Sequence, residues 1–313
     1  MNPTNERRLL LAASTGGHLE QLARLAPQLE ASGDSLWITF DTAQSRSLLA
    51  GKNVLYVPYI APRDVKGVVN ATSLIRDHLK REPADYAEAV STGAALAIAA
   101  LTAARSLGIK CRYIESVSRT RGPSLTGRIL HATRFSALET QHPGWASQRW
   151  VHRRSVLDAY SSHSQPKEAR DLKLLITLGT IRPFRFDSAV DAVLRTGLAN
   201  EQTVWQVGCT TRRDIPGEVH DSLDSRNFDR LLQNCDAVIT HSGVGTILKA
   251  LESGKHPVVL PRRRHRREHV DDHQVQIAEL VNTRRIGTAV EVDELTADIV
   301  CDAAARRVEP RDG

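Results

Sequence analysis

The chain is short of several things, and each shortage removes a class of protein. Its four cysteines, Cys111, Cys209, Cys235 and Cys301, stand far apart, with no Cys-x-x-Cys pair and no His-x-His spacing nearby. That pattern argues against a zinc ribbon and a disulfide scaffold and points to reduced thiols. The longest apolar run, Ala94–Leu101, is rich in alanine and too short to span a bilayer. The polar opening MNPTNERR has no apolar signal-peptide core, so any membrane contact is expected to be peripheral. Aromatic residues are only 4% of the chain, so its cores must rest on Leu, Val, Ile and Ala. Two motifs are missing as well. The glycine turn near the N-terminus lacks the Gly-x-Gly-x-x-Gly dinucleotide fingerprint. No Asp-x-Asp lies at a suitable strand end, so metal-independent chemistry is expected.

What is present describes a soluble α/β protein of about two domains: 313 residues with 41% hydrophobic and 25% charged side chains. The net charge of +6 favours anionic partners such as nucleic acid, a phosphate-bearing substrate or an acidic membrane. Short apolar segments read as strands at Leu9–Ala13, Ser35–Phe40, Asn53–Pro58, Tyr86–Ser91 and Lys110–Glu115. Helices are expected at Leu19–Ala31, Thr72–Arg81 and in the alanine-rich stretch from Gly93. Strands alternating with helices imply a parallel sheet covered on both faces. The polar segment Ser161–Asp171 reads as a linker. A second alternating set follows, with strands at Leu172–Leu178, Thr203–Val207, Ala237–Thr240 and Pro257–Leu260. The expected domains are 1–160 and 172–313, two Rossmann-like units that bind ligands at their C-terminal strand ends.

Three stretches carry chemistry. In Cys235–Pro261 a strand ends at His241, and Ser242-Gly243-Val244-Gly245-Thr246 turns straight into a helix. Small residues admit a ligand close to the backbone, and first-turn N–H groups suit a diphosphate. His241 would add a contact, and a plain structural turn is the alternative. Next comes the run Arg262–Arg267, read as a solvated charged loop. Glu268-His269 and Asp271-Asp272-His273-Gln274 follow, a mixture of donors and acceptors suited to sugar hydroxyls. The third stretch is Ser14-Thr15-Gly16-Gly17-His18, where a strand meets a helix start.

His241-Ser-Gly-Val-Gly-Thr, Glu252, Gly254, Pro257 and the trailing Asp-His-Gln resemble the donor half of GT-B nucleotide-sugar glycosyltransferases. They are most similar to the catalytic subunit of the two-subunit GlcNAc transferase of dolichol-linked glycan assembly, whose bacterial capsule and exopolysaccharide relatives carry a similar "EHVDDHQ". The GlcNAc transferase that makes lipid II is similar at a greater distance. "STGGHLEQL" (14–22) and "YIESVSRTRGPSLTGR" (113–128) resemble the partner subunit of the same systems. The chain thus looks like a fusion, acceptor half first and donor half second, with no obligatory partner subunit. It is expected to depart from the pattern in having no eukaryotic-type membrane anchor, and it places Lys249 where related families often carry a ribose-binding Glu.

The resemblance implies an inverting, metal-independent transfer of a hexose from a UDP-sugar to a polyprenyl-linked or other membrane-linked glycan precursor. Exopolysaccharide or capsule assembly, at the inner face of the plasma membrane, is the expected setting. UDP-sugar is the donor substrate and no separate cofactor is expected. Donor-binding residues would be Gly179, Thr180, Phe228, His241, Ser242, Gly243, Val244, Gly245, Thr246, Glu252, Asp272, His273 and Gln274. Ser14, Thr15, Gly16, Gly17 and Arg119 would bind the acceptor. His18 would be the general base, since an imidazole suits proton transfer near neutral pH, and Glu115 would bind sugar hydroxyls or orient it. Two alternatives stay open. A UDP-sugar epimerase or hydrolase could use the same fold. A nucleic-acid module would need basic residues interleaved with exposed aromatics, which are scarce here.

Overall fold

The computed structural model describes residues 6–310 apart from 62, 154, 166–171, 180–182, 213 and 270–272, with His273 described by its backbone alone. The chain divides into two units, Met1–Val156 and Leu157–Gly313.

In the first unit β1 (Leu9–Ala13), α1 (Gly17–Leu25), β2 (Leu36–Phe40), α2 (Ala43–Leu48) and β3 (Asn53–Val57) come first. Next are α3 (Val65–Arg81), β4 (Glu88–Gly93), α4 (Ala95–Ser106), β5 (Cys111–Ile114), α5 (Leu125–Thr133), β6 (Ala137–Thr140) and β7 (Trp150–His152). The strands form one parallel sheet in the order β3-β2-β1-β4-β5-β6-β7. β1 (LLLAA) is buried at every position because helices cover both sheet faces. Alanine suits α4, where seven side chains are buried and small residues let backbones approach. α3 turns Ala71, Ile75 and Leu79, spaced by four, toward α4 and the sheet. Asp64 caps α3 by accepting from Gly67 N, 2.9 Å away.

The second unit runs β8 (Tyr160–Ser164), β9 (Leu174–Thr177), α6 (Asp187–Arg195), β10 (Val204–Gln206), β11 (Glu218–His220), α7 (Ser225–Asn234) and β12 (Ala237–His241). It continues with α8 (Val244–Glu252), β13 (Val258–Leu260), α9 (His273–Arg284), β14 (Thr288–Ala289), α10 (Ala297–Ala304) and β15 (Arg306–Pro310). Its parallel sheet has the order β11-β10-β9-β12-β13-β14. In both sheets the connections reverse direction at one place, between β1 and β4 and between β9 and β12. Such a switch point leaves a crevice at the C-terminal strand ends.

The linker expected over 161–171 is in part a strand. β8 pairs antiparallel with β15, from Tyr160 opposite Pro310 to Ser164 opposite Arg306. Its polar sequence hid it, because a two-stranded ribbon needs few apolar side chains when one residue such as Val308 is buried. Residues 166–171 of that segment lie outside the described residues.

His256 ties the ribbon to the sheet. Its ring meets Ser162 Oγ on β8 at 2.7 Å and Thr288 Oγ1 on β14 at 3.0 Å. Burial lowers its pKa to about 4. The unfolded chain, with an imidazole near 6.5, therefore takes up a proton first as pH falls. Stability should be full above pH 6.5 and decline toward pH 4, by about 2–3 kcal/mol between pH 7 and pH 4.5. Urea unfolding of His256→Gln should show a shallower decline over that window. An identical pH slope in the variant would show that other groups carry it.

Candidate active site

A histidine occupies the switch point of each sheet. In the first unit His18 is the second residue of α1, half-buried, and its Nδ1 lies 2.8 Å from Thr92 O at the end of β4. In the second, His241 ends β12, and its Nδ1 lies 3.4 Å from Thr177 O at the end of β9. A carbonyl only accepts, so in both contacts Nδ1 carries the hydrogen. In the neutral ring the basic lone pair then sits on Nε2.

The His241 turn is built closely. Gly179, just after β9, has φ +79, and a Cβ there would stand 2.7 Å from His241 Nε2. A Cβ on Gly243 would collide with the same atom. Val244, Gly245 and Thr246 open α8, and their N–H groups have no acceptor within the helix. Ser242 is 3% exposed, and its Oγ finds no hydrogen-bond partner among the described residues. Orphaned buried hydroxyls are rare, and here one adjoins a helix N-terminus suited to an anion.

The basic run that follows is a solvated loop only in part: Arg264, His265 and Arg267 are exposed, but Arg262 is not. Arg262 is 1% exposed and lies over the Phe186 ring, 4.8 Å from its centroid. Its Nη1 donates to Phe184 O, Arg185 O and Glu268 O at 2.9, 3.3 and 2.9 Å, and Nη2 donates to Leu178 O at 2.6 Å. One guanidinium thus binds the loop after β9, the entry to α6 and its own loop. Burial lowers its pKa to about 10, so it stays charged at neutral pH. Arg263 pairs with Glu291 and Arg266 with Asp293. Nothing in the run's composition separated Arg262 from its neighbours. Its place directly after a strand and Pro261 was the available signal.

The remaining donor candidates divide. Gln274 is buried at the start of α9, and its Oε1 accepts from Arg262 N at 3.1 Å, so it helps hold the same loop. Glu268 is buried too, bonded by Ser188 Oγ and, at 3.0 Å, by Arg263 N. His269 stacks on Phe184. Thr180 and Asp272 lie outside the described residues, as does the His273 side chain. Phe228 is 7% exposed in a core cluster with Leu175, Leu232 and Val238, so it packs the domain rather than facing a ligand. Glu252 is exposed in the last turn of α8, about 12 Å along the axis from Val244 at 1.5 Å per residue, away from the His241–Thr246 turn. Lys249, one turn nearer, is held by Asp229 at 2.7 Å and Ser225 Oγ at 2.8 Å.

On the acceptor side the turn Ser14–Gly17 is present, but the Gly16 N–H is taken by Gln44 Oε1 at 2.7 Å. Glu115 is 1% exposed, and its oxygens receive four hydrogen bonds, from Tyr113 OH, Ser116 N, Ser124 N and Ser124 Oγ, at 2.8–3.0 Å. That set makes it a clamp for the loop leading into α5 rather than a group that orients His18 or is open to sugar hydroxyls. Arg119 lies in this loop, whose backbone Trp145 pins by donating to Arg119 O at 2.9 Å. Gln21 was not expected. Its Nε2 reaches Ser116 Oγ, and its Oε1 accepts from Val117 N and Gln141 Nε2, joining α1 to the same loop. A cavity of about 470 Å³ opens at the other end of α1, lined by Ala23, Pro27, Trp37 and Leu49 among others, and shares no residue with these strand-end loops.

Gly179→Ala should destabilise the protein by about 1–2 kcal/mol for its left-handed backbone and further through the collision with His241. In a His241→Ala background the collision part should vanish. Thermal unfolding of the four variants checks this, and strictly additive effects would contradict the packing of ring against glycine.

Residues 193–302 match the model of the glycosyltransferase family 28 C-terminal domain. No curated protein matches the chain significantly. Among solved structures it is similar to MurG of Acinetobacter baumannii, with 18% identity over 94% of this chain and 88% of that one and a TM-score of 0.56. The spinosyn forosaminyltransferase is 17% identical over 96% and 93%, with a TM-score of 0.59. A putative UDP-N-acetylglucosamine 2-epimerase from Listeria monocytogenes is 11% identical over 96% and 94%, with a TM-score of 0.55. The chain thus has the GT-B fold, two Rossmann-like units, and its second unit carries the match to the glycosyltransferase family 28 C-terminal domain.

Proposed function

We propose that the protein is an inverting glycosyltransferase that moves a hexose from a UDP-sugar to a membrane-linked glycan precursor, in exopolysaccharide or capsule assembly. The observation that carries the reading is the His241–Thr246 turn. It places small residues, an orphaned hydroxyl and the α8 N-terminus at a switch point, inside the stretch that matches the family 28 domain. The α8 N–H groups would meet the charge that develops on the departing UDP, with no metal required. His18 would accept the proton of the acceptor hydroxyl as its oxygen forms the bond to the anomeric carbon and the sugar–phosphate bond breaks. The Nδ1–H tautomer supports this role by leaving the lone pair on Nε2.

The membrane-linked acceptor is supported by the C-terminal edge of the first sheet. Tyr59, Val65, Val69 and Leu125 are exposed there, between 60% and 73%. Arg63, Lys66, Arg121 and Arg128 are exposed beside them. Apolar side chains ringed by basic ones suit an anionic bilayer. Among the described residues no helix is long and apolar enough to cross a membrane.

Incubation with a panel of UDP-sugars and membrane lipid extracts tests the reading. Acceptor-dependent UDP release with a new glycolipid is expected, whereas an isomerised or hydrolysed sugar without acceptor would identify an epimerase or hydrolase. His18→Ala should lower kcat by roughly 10²–10⁴-fold, leave UDP-sugar affinity near wild type and remove the acidic limb of the pH–rate profile. Retained kcat with the same limb would dismiss His18 as the base. Binding to anionic vesicles should weaken with salt and in Val65→Asp/Val69→Asp, and unchanged binding would dismiss this edge as the docking surface.

A further inference from the structure

The pairing of β1 with β4 contains an irregularity at His18. Leu10, Leu11 and Ala12 face Ala89, Val90 and Ser91, but Ala13 faces Gly93, so Thr92 is skipped. An extra residue in one strand leaves its backbone groups outside the ladder, and such bulges re-aim groups beside active sites. In Thr92 the free carbonyl and the side-chain hydroxyl both turn to His18. Its carbonyl accepts from Nδ1 at 2.8 Å, while its Oγ1 donates to His18 O, also at 2.8 Å. The two bonds run in opposite senses and hold both the ring and the backbone of one residue.

The next two residues close the seat. Gly93 has φ +133, and a Cβ there would lie 2.7 Å from both Cε1 and Nδ1 of His18. Only glycine lets the ring approach the strand end this closely. Ala94 follows at φ 59 and ψ −168, a backbone region almost reserved for glycine. Strain of this kind persists only where the surroundings over-determine the conformation, and it gathers at functional sites. Here it lies at the junction that aims Thr92 O at the imidazole.

We propose that the Thr92–Gly93 bulge is a positioning element that holds His18 in the Nδ1–H tautomer, with its basic lone pair on Nε2. The opposite tautomer would set a lone pair against the Thr92 carbonyl. The role of this element in catalysis rests on the reading of His18 as the base. The tautomer itself does not, and it can be measured without turnover.

Two-bond ¹H–¹⁵N correlation spectra of the ¹⁵N-histidine-labelled full chain report the tautomer, with His18 assigned by the signals lost in His18→Gln. At a pH where the ring is neutral the wild type should show a protonated Nδ1 and an unprotonated Nε2. Gly93→Ala should shift the population toward Nε2–H and lower kcat about tenfold or more, with KM for the UDP-sugar held within about twofold. Thr92→Val, which keeps the carbonyl and the side-chain volume, should lower kcat about threefold to tenfold, and Thr92→Ser should restore it. A dominant Nε2–H tautomer in the wild type, or a Gly93→Ala variant that keeps the Nδ1–H form, would overturn the proposal. A tautomer shift in Gly93→Ala with kcat unchanged would support the tautomer lock, overturn its catalytic role and remove His18 as the base.

Discussion

A parallel sheet whose connections reverse direction leaves two neighbouring strand ends without a covering helix, and in both units a histidine and its glycine seat are arranged around that gap. In each, one of the two strand ends offers a carbonyl and a histidine from the other side takes it: Thr92 O with His18, Thr177 O with His241. In each, a glycine of positive φ follows that carbonyl and leaves room for the ring: Gly93 in the first unit and Gly179 in the second. The repeat is one of architecture, since the two halves share no evident sequence identity. Strand-end carbonyls orient the imidazoles, and in sequence His18 lies in the first turn of α1 and His241 just before that of α8, where an anion is most readily bound.

Around these points the loops are held by buried polar groups rather than by apolar packing. In the second unit the guanidinium of Arg262 gathers four carbonyls from two loops, the one between β9 and α6 and its own, and Gln274 receives the Arg262 amide in return. In the first, Glu115, Gln21 and Gln141 form a network that fixes the loop into α5. A buried charge is costly unless its hydrogen bonds are made, so removing one partner of such a network costs far more than removing a surface pair. The benefit is positional. Loops of small and polar residues, which could not bury enough apolar surface to order themselves, are held in one conformation at the sheet edge.

The apolar strands were legible because a strand covered on both faces must be apolar throughout. Leu9–Ala13 is β1 without adjustment, and Ala237–Thr240 falls one residue short of β12. The turn before α8 was legible as a turn, since Ser242-Gly243 ends an apolar strand directly before a helix pattern. β8 and β15 were not, because an edge ribbon tolerates YSSHS and RRVEP. Nor was the fate of polar residues. Arg262 looks like its neighbours in the run, and Glu115 at a strand end looks like a catalytic carboxylate until its four donors are seen. Phe228 shows the converse, an aromatic residue with a candidate ligand role that is consumed by the core between α7 and the sheet. Whether a polar side chain is satisfied internally depends on contacts distant in sequence, which local pattern does not encode.

The most direct test of the account is a titration of the ¹⁵N-histidine-labelled protein with UDP, following the ring signals of His241. The proposed diphosphate site is the turn that His241 begins. A saturable shift of its ring resonances is therefore expected, absent from Gly245→Val, whose branched side chain would occupy the phosphate space. UDP binding that leaves the His241 ring unmoved, or that survives unweakened in a folded Gly245→Val variant, would contradict it.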